Sequence, residues 1–291
     1  EEVRAAIERA ATVTEVDDIY RPFRPKRKTR ASVARERGLE DLAILLFAQE
    51  KSYTPSIEEQ AARFVDPERE VPDVAAALQG AMDIVAEEVS DNADYRRELR
   101  RLTFDAGSLT SKAAKEEDSV YAMYYDFSEP LRKLPGHRIL AINRGEKEEF
   151  LKVALTVPED VVLGYLYNQV LSGNRSPAEP YVREAITDAY NRLIAPSIER
   201  EIRNDLFDTA CEGAIKVFSD NLGHLLMQPP LKGKVVLGFD PGYAHGCKLA
   251  VVDPTGKVLD TAVVYPTIKP RAEEAARVVK RLIRNYAVDV V

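Results

Sequence analysis

Residues 234–266 read KVVLGFDPGYAHGCKLAVVDPTGKVLDTAVVYP, and this stretch decides the fold of the C-terminal part of the chain. Val235 to Phe239 is a short continuous apolar run, the pattern of a buried strand. Asp240-Pro241-Gly242 turns the chain. Cys247 to Asp253 predicts a second strand, Pro254-Thr255-Gly256 a tight turn, and Lys257 to Tyr265 a third strand. Pro270 then opens a helix whose Ala275, Val278, Val279, Leu282 and Ile283 share one face, and Val288 to Val291 begins a fourth strand. The expected order is β-β-β-α-β, an α/β domain over 233–291.

Upstream, the apolar period changes from strand-like to helical, and residues 1–232 read as a mainly α-helical, multi-helix scaffold. Met227 to Gly233 (MQPPLKG) is a linker. Before it a long linking helix is predicted over about 195–227, with Ile198, Ile202, Leu206, Ala210, Ala214, Val217 or Phe218, Asn221 and Leu225 along one face and a length of ~45 Å. Helices are also expected from Asp160 to Leu171 and from Pro180. Arg138 to Arg144 reads as a strand, Gly145-Glu146 as a turn and Leu151 to Val157 as the returning strand, a small β-hairpin at about 138–157. Tyr121, Tyr124 and Tyr125 belong to a Tyr-rich helix after a polar loop at 105–118. His137 reads as a hydrogen-bonded structural histidine. Asn92 opens a charged helix with Tyr95, Leu99 and Leu102 inward and Arg96, Arg97, Arg100 and Arg101 outward. Those arginines are either a solvated face balanced by acids or phosphate contacts. Val74, Leu78, Met82, Val85 and Val89 form an apolar stripe, and Ser56-Ile57-Glu58-Glu59 resembles a capping box.

The most distinctive part of the scaffold is Thr14 to Arg37, TEVDDIYRPFRPKRKTRASVARER. An acidic head, Glu15, Asp17 and Asp18, runs into Arg21, Arg24, Lys26, Arg27, Lys28 and Arg30. Pro22 and Pro25 are expected to keep its first half from forming a regular helix. Tyr20 and Phe23 supply rings that either anchor the segment on a core or stack on a base. Two readings stand side by side. The arginines pair with the adjacent acids in a structural connector, or they contact phosphates non-specifically, since no base-reading module is recognisable.

Bulk properties bound the function. The net charge of −7 argues against whole-protein attraction to nucleic acid and leaves local basic patches. No apolar run has the length of a membrane span, so no membrane partner is expected. Only Cys211 and Cys247 are present, which suits a reduced, cytoplasmic protein without a disulfide framework.

Three stretches carry a family resemblance: the basic segment, YYDFSEPLRKLPGHRILAINRGEKE at 124–148, and 234–266. Together they resemble the Tex family of bacterial transcription accessory proteins, and the β-β-β-α-β order resembles the YqgF/RuvC-like branch of the RNase H-like superfamily. The resemblance implies RNA or DNA as partner, bound without sequence preference, association with the transcription machinery, and a chain that is the central part of a longer protein with its YqgF-like domain incomplete at the C-terminus. Arg21, Arg24, Lys26, Arg27, Lys28 and Arg30 are the candidate nucleic-acid contacts. In RNase H-like nucleases a carboxylate at the end of the first strand is the first metal ligand, which makes Asp240 the candidate catalytic and metal-binding residue of an alternative, a Mg2+-dependent resolvase-type nuclease. That chemistry needs several converging carboxylates. Asp253 is better explained as a turn former, Asp289 is remote, and Asp240 itself has a turn-capping explanation. The expected protein is therefore a non-catalytic scaffold without cofactor, with a pure protein-interaction scaffold as the third reading.

Overall fold

A computed structural model describes residues 2–25, 28–115, 117–229, 231–242 and 244–291. The chain divides into two units, Glu1–Val217 and Phe218–Val291. The first begins with α1 (Glu2–Arg9), α2 (Val13–Tyr20), α3 (Arg30–Glu36), α4 (Glu40–Ala48) and α5 (Ile57–Ala61). The Ser56 capping box at the start of α5 is formed, Ser56 Oγ accepting from Glu59 N–H and the Glu59 carboxylate accepting from Ser56 N–H. Next come α6 (Val74–Asp91) and α7 (Ala93–Ala106). Leu78, Met82, Val85 and Val89 of α6 are buried, and Asn92 caps α7 by accepting from Tyr95 N–H at 3.0 Å.

The junction of α3 and α4 shows how local rules set packing. Gly38 has φ +82°, its N–H donates to Arg35 O, and Leu39 N–H donates to Ala34 O. This double bond pattern ends α3 in a left-handed cap that favours glycine. It also delivers Leu39 into the core against α6. There Gly80 leaves room for it, because a Cβ on Gly80 would lie 2.3 Å from Leu39 Cδ1.

The middle of the chain corrects two expectations. Residues 138–144 are not a strand. They lie in α8 (Gly136–Lys147), which buries Ile139, Ile142 and Gly145. A short apolar run suits helix and strand alike, and here the i, i+3, i+6 positions face the core. Gly145 is no turn residue: a Cβ there would meet the Leu151 and Tyr121 side chains at 2.7 and 3.0 Å. The polar loop expected at 105–118 instead holds β1 (Ser108–Ala113), which pairs antiparallel with both β2 (Asp126–Pro130) and β3 (Leu151–Thr156). The returning strand of the expected hairpin is thus real, but its partner is β1. The strand was masked by its polar inward residue, Ser111, which is buried and donates to Tyr124 O at 2.6 Å. Tyr121 and Tyr124 are buried, in a 3-10 turn rather than a helix, with Tyr124 edge-on to Phe127 at 5.4 Å between centroids. His137 is exposed and makes no side-chain hydrogen bond among the described residues, contrary to its reading as a bonded histidine.

After α9 (Glu159–Val170), α10 (Glu179–Asp188) passes through a π-helical turn at Ala189–Ile194 into α11 (Ala195–Leu226) without a break. Pro196 explains the turn. Its ring would clash with the carbonyl four residues back, and one extra residue per turn removes that clash. Ile198, Ile202 and Ala210 of α11 are buried as expected. Burial stops there: Ala214, Val217, Asn221 and Leu225 are exposed, and Phe218 is 68% exposed.

The second unit contains β4 (Val236–Asp240), β5 (Cys247–Val252) and β6 (Val258–Val264) in an antiparallel sheet of order β4-β5-β6, followed by α12 (Ala272–Asn285). Leu237, Cys247, Leu249, Val251 and Val264 form a core with Ala275 and Leu282 of α12. Val290 makes a parallel bridge with Val236, on the free edge of β4. The β-β-β-α order is present, and the expected fourth strand is represented by this single bridge.

Candidate nucleic-acid interface

The basic segment is divided between scaffold and surface. Thr12 caps α2 by accepting from Glu15 N–H at 3.2 Å, and the helix runs to Tyr20, immediately before the Arg21–Phe23 3-10 turn that holds Pro22. The prolines thus end a regular helix rather than prevent one. That helix buries Asp18, only 3% exposed, beside Arg96 of α7, which is 0% exposed. Asp18 accepts from Arg96 Nε at 2.6 Å and from Arg100 Nη2 at 2.7 Å. From α11, Glu201 accepts from Arg96 Nη2 at 3.1 Å and Arg100 Nε at 2.9 Å, and Ser197 Oγ accepts from Arg96 Nη2 at 2.6 Å.

Arg21 lies 4.0 Å from the Asp18 carboxylate. Burial, then the neighbouring Arg96 charge, lowers the Arg21 guanidinium below its usual range. Burial also disfavours the Arg100 charge, but hydrogen bonds to Asp18 and Glu201 outweigh it and raise that group.

Two of the four α7 arginines are therefore not outward at all. Arg97 and Arg101 are, and each pairs within its own helix, Arg97 with Asp94 at 2.8 Å and Arg101 with Glu98 at 2.6 Å. At the far end of the basic segment, Thr29 caps α3 and donates to Glu87 at 3.0 Å, and Arg35 pairs with Glu87 at 2.6 Å. Arg30 is exposed and close enough to Asp83 to oppose the upward pull of burial on that carboxyl.

Between these anchors several of the described residues face water. Phe23 is 59% exposed and Tyr20 46% exposed. Arg24 and Lys28 are exposed and make no side-chain hydrogen bond or ion pair among the described residues. Lys26 and Arg27 lie outside the described residues. The sequence pointed to the cations; the exposure of the two rings beside them needed the structure.

Asp240 is exposed at the end of β4, and its register partner is Lys248 of β5. Both line an open concavity of about 770 Å³ on the sheet. Asp240 caps no turn, having no side-chain hydrogen bond among the described residues. Asp253 does: its Oδ1 accepts from Thr255 N–H and Oγ1–H at 2.8 and 2.7 Å and from Lys257 N–H at 3.0 Å, and these bonds, that from the Thr255 hydroxyl foremost, hold its carboxyl below the usual range. Asp289 is likewise engaged, accepting from Val235 N–H at 2.9 Å and pairing with Lys234 at 3.5 Å. Among the described residues no three His, Cys, Asp or Glu side chains are grouped to hold a metal, so these residues by themselves do not supply the donors of a two-metal centre.

Comparison with known proteins places this architecture. A family model of the Tex central region matches residues 52–218, and one of the Tex YqgF-like domain matches 234–291. The chain belongs to the Tex family. Similar proteins include YdcI of Bacillus subtilis, 44% identical over 296 residues covering 99% of this chain and 41% of the relative. The transcriptional accessory protein Tex of Neisseria gonorrhoeae is 33% identical over 299 residues, covering 100% of this chain and 38% of the relative. The human S1 RNA-binding domain-containing protein 1 is 31% identical over 289 residues, covering 94% and 29%. The chain thus spans about 41% or less of the length of these Tex-family relatives. No helix among the described residues is long and apolar enough to cross a membrane.

Proposed function

We propose that this Tex-family chain is a non-catalytic scaffold of a transcription accessory protein and that it binds RNA or DNA without sequence preference through the water-facing part of the basic segment. The observation that carries the reading is the combination at residues 20–28: two exposed rings, Tyr20 and Phe23, followed by Arg24 and Lys28, which are exposed and lack partners within the described residues. Cations that track a backbone and rings on which bases stack are the two parts of a sequence-tolerant single-strand site. Lys26 and Arg27 add charge to the same segment by sequence. Arg21 and Arg30 belong more to the scaffold, beside Asp18 and Asp83. The relatives' names, a transcriptional accessory protein and an S1 RNA-binding protein, agree with a nucleic-acid role. A scaffold without chemistry accords with the engagement of Asp253 and Asp289 in hydrogen bonds from backbone N–H groups.

The test is fluorescence anisotropy with labelled single-stranded RNA and duplex DNA at ~50 and ~200 mM salt, comparing the chain with a variant carrying Gln at 24, 26, 27 and 28. Expected is salt-sensitive RNA binding whose log–log salt slope falls by about 0.7 per lost phosphate contact in the variant. Unchanged affinity and slope in the variant would overturn the assignment. Absence of any salt-dependent binding would leave a protein-interaction scaffold.

A further inference from the structure

Helix α12 carries a second cationic surface. Its inner face, Ala275 and Leu282 with Val278, Val279 and Ile283, packs on the sheet. Its outer face presents Arg277, Lys280, Arg281 and Arg284, all exposed. The spacing 277, 281, 284 puts three guanidinium groups in one row over ~10 Å of helix, with Lys280 beside it. None of the four makes a side-chain hydrogen bond or ion pair among the described residues.

This differs from α7 and α10, where exposed arginines find an acid one turn away: Arg97 with Asp94, Arg101 with Glu98, Arg183 with Glu179. In α12 Arg277 has Glu273 and Glu274 one turn before it, but from Arg277 onward the cations are one turn from one another, as in Arg277–Arg281, Arg277–Lys280, Lys280–Arg284 and Arg281–Arg284. Such like-charge neighbours destabilise a helix. Glu273 and Glu274, in the first turn, and Arg284, in the last, suit the helix dipole. The dipole does not account for Arg277 and Lys280, which sit mid-helix.

We infer that the outer face of α12 is a contact surface for the phosphate backbone of a nucleic acid. Phosphates relieve the self-repulsion, and the arginine fork matches phosphate oxygens. An acidic protein partner fits less well, because protein interfaces are anchored by apolar or aromatic groups and the other exposed residues of α12 are Glu273, Glu274, Ala276 and Asn285, none of them a large apolar or aromatic side chain. The inference rests on the proposed nucleic-acid role and adds a second contact to it.

The experiment compares three forms of the 291-residue chain by anisotropy across salt: the parent, the variant neutralised at 24, 26, 27 and 28, and Arg277→Gln/Lys280→Gln/Arg281→Gln/Arg284→Gln. Circular dichroism checks folding, and a triple Lys variant at 277, 281 and 284 keeps the charge. Expected is at least about a tenfold loss of RNA or DNA affinity at low salt and a shallower slope in the Gln variant, with the slope retained in the Lys variant. Greater loss with single-stranded RNA than with duplex DNA, or the reverse, identifies the preferred backbone, and either supports the inference. Loss in the 24–28 variant with none in the α12 variant overturns this inference and leaves the proposed function standing. No binding by the parent overturns both. Tighter binding of a poly-glutamate peptide than of RNA to the α12 face overturns it in favour of an acidic protein.

Discussion

Arg96 has no contact with water, so its charge is supported entirely by Asp18, Glu201 and Ser197. Even so, its Nη1 and the Nε of Arg21 are buried without a partner, which shows how crowded with cations this spot is. Removing one acid is therefore expected to cost far more than removing a surface charge. Asp18→Ala leaves Arg96, Arg100 and Arg21 clustered, with Glu201 still paired to the first two but one buried acid short, and should destabilise the fold by about 3–5 kcal/mol, read from the urea midpoint. A surface control, Asp94→Ala, should stay within about 0.5 kcal/mol. A loss at Asp18 no larger than the control would contradict the network's role.

A second residue-scale prediction concerns pH. Tyr181 Oη donates to Glu58 Oε1 at 2.7 Å, a bond that lowers the Glu58 carboxyl below its usual range and pushes Tyr181 up to about 12. The depressed carboxyl contributes stability that is present above its unfolded value and lost as pH falls through its folded value. The raised phenol contributes stability that is present below its ordinary value of 10.0 and lost as pH rises towards about 12. Tyr181→Phe should thus lower the unfolding free energy most between about pH 5 and 9, by no more than about 1 kcal/mol for so exposed a pair, with the difference closing in acid, as read by thermal or urea denaturation across pH. A difference independent of pH would remove the charged hydrogen bond from the account.

At the scale of elements, Leu39 packs closely over Gly80 of α6. Leu39 is buried and held in place by the left-handed cap at Gly38, so it cannot move aside for a new methyl group. Gly80→Ala is expected to destabilise by about 1–3 kcal/mol despite alanine's better helix propensity, and pairing it with Leu39→Ala should recover part of that loss. A stabilising Gly80→Ala would refute the close packing. Elements with a local signature were legible in sequence: the Ser56 box, the Asn92 cap, the α6 stripe, the Asp253 turn and the short apolar strands of the second unit. Those whose logic lies in distant partners were not. β1 has a serine where a strand reading wants an apolar side chain, and its use for that serine is a carbonyl thirteen positions away. Arg96 reads as a surface residue because its acids lie 78 and 105 positions away.

At the scale of the whole chain, a net charge of −7 means that nucleic acid is repelled by most of the surface and held only where cations gather. The candidate interface was half legible for the same reason. The cationic run at 21–30 is visible in any reading of the sequence. Which of its members are taken up by the scaffold, as Arg21 is beside the buried Asp18, and that Tyr20 and Phe23 face water instead of a core, are visible only in the fold. Binding confined to such a patch should weaken steeply between ~50 and ~200 mM salt. The most direct measurement is ultraviolet crosslinking of the chain to single-stranded RNA, with the modified residues located by mass spectrometry. Stacking on the exposed rings predicts nucleotide adducts on Tyr20 or Phe23. RNA binding with adducts elsewhere and none on these two rings would contradict the central claim.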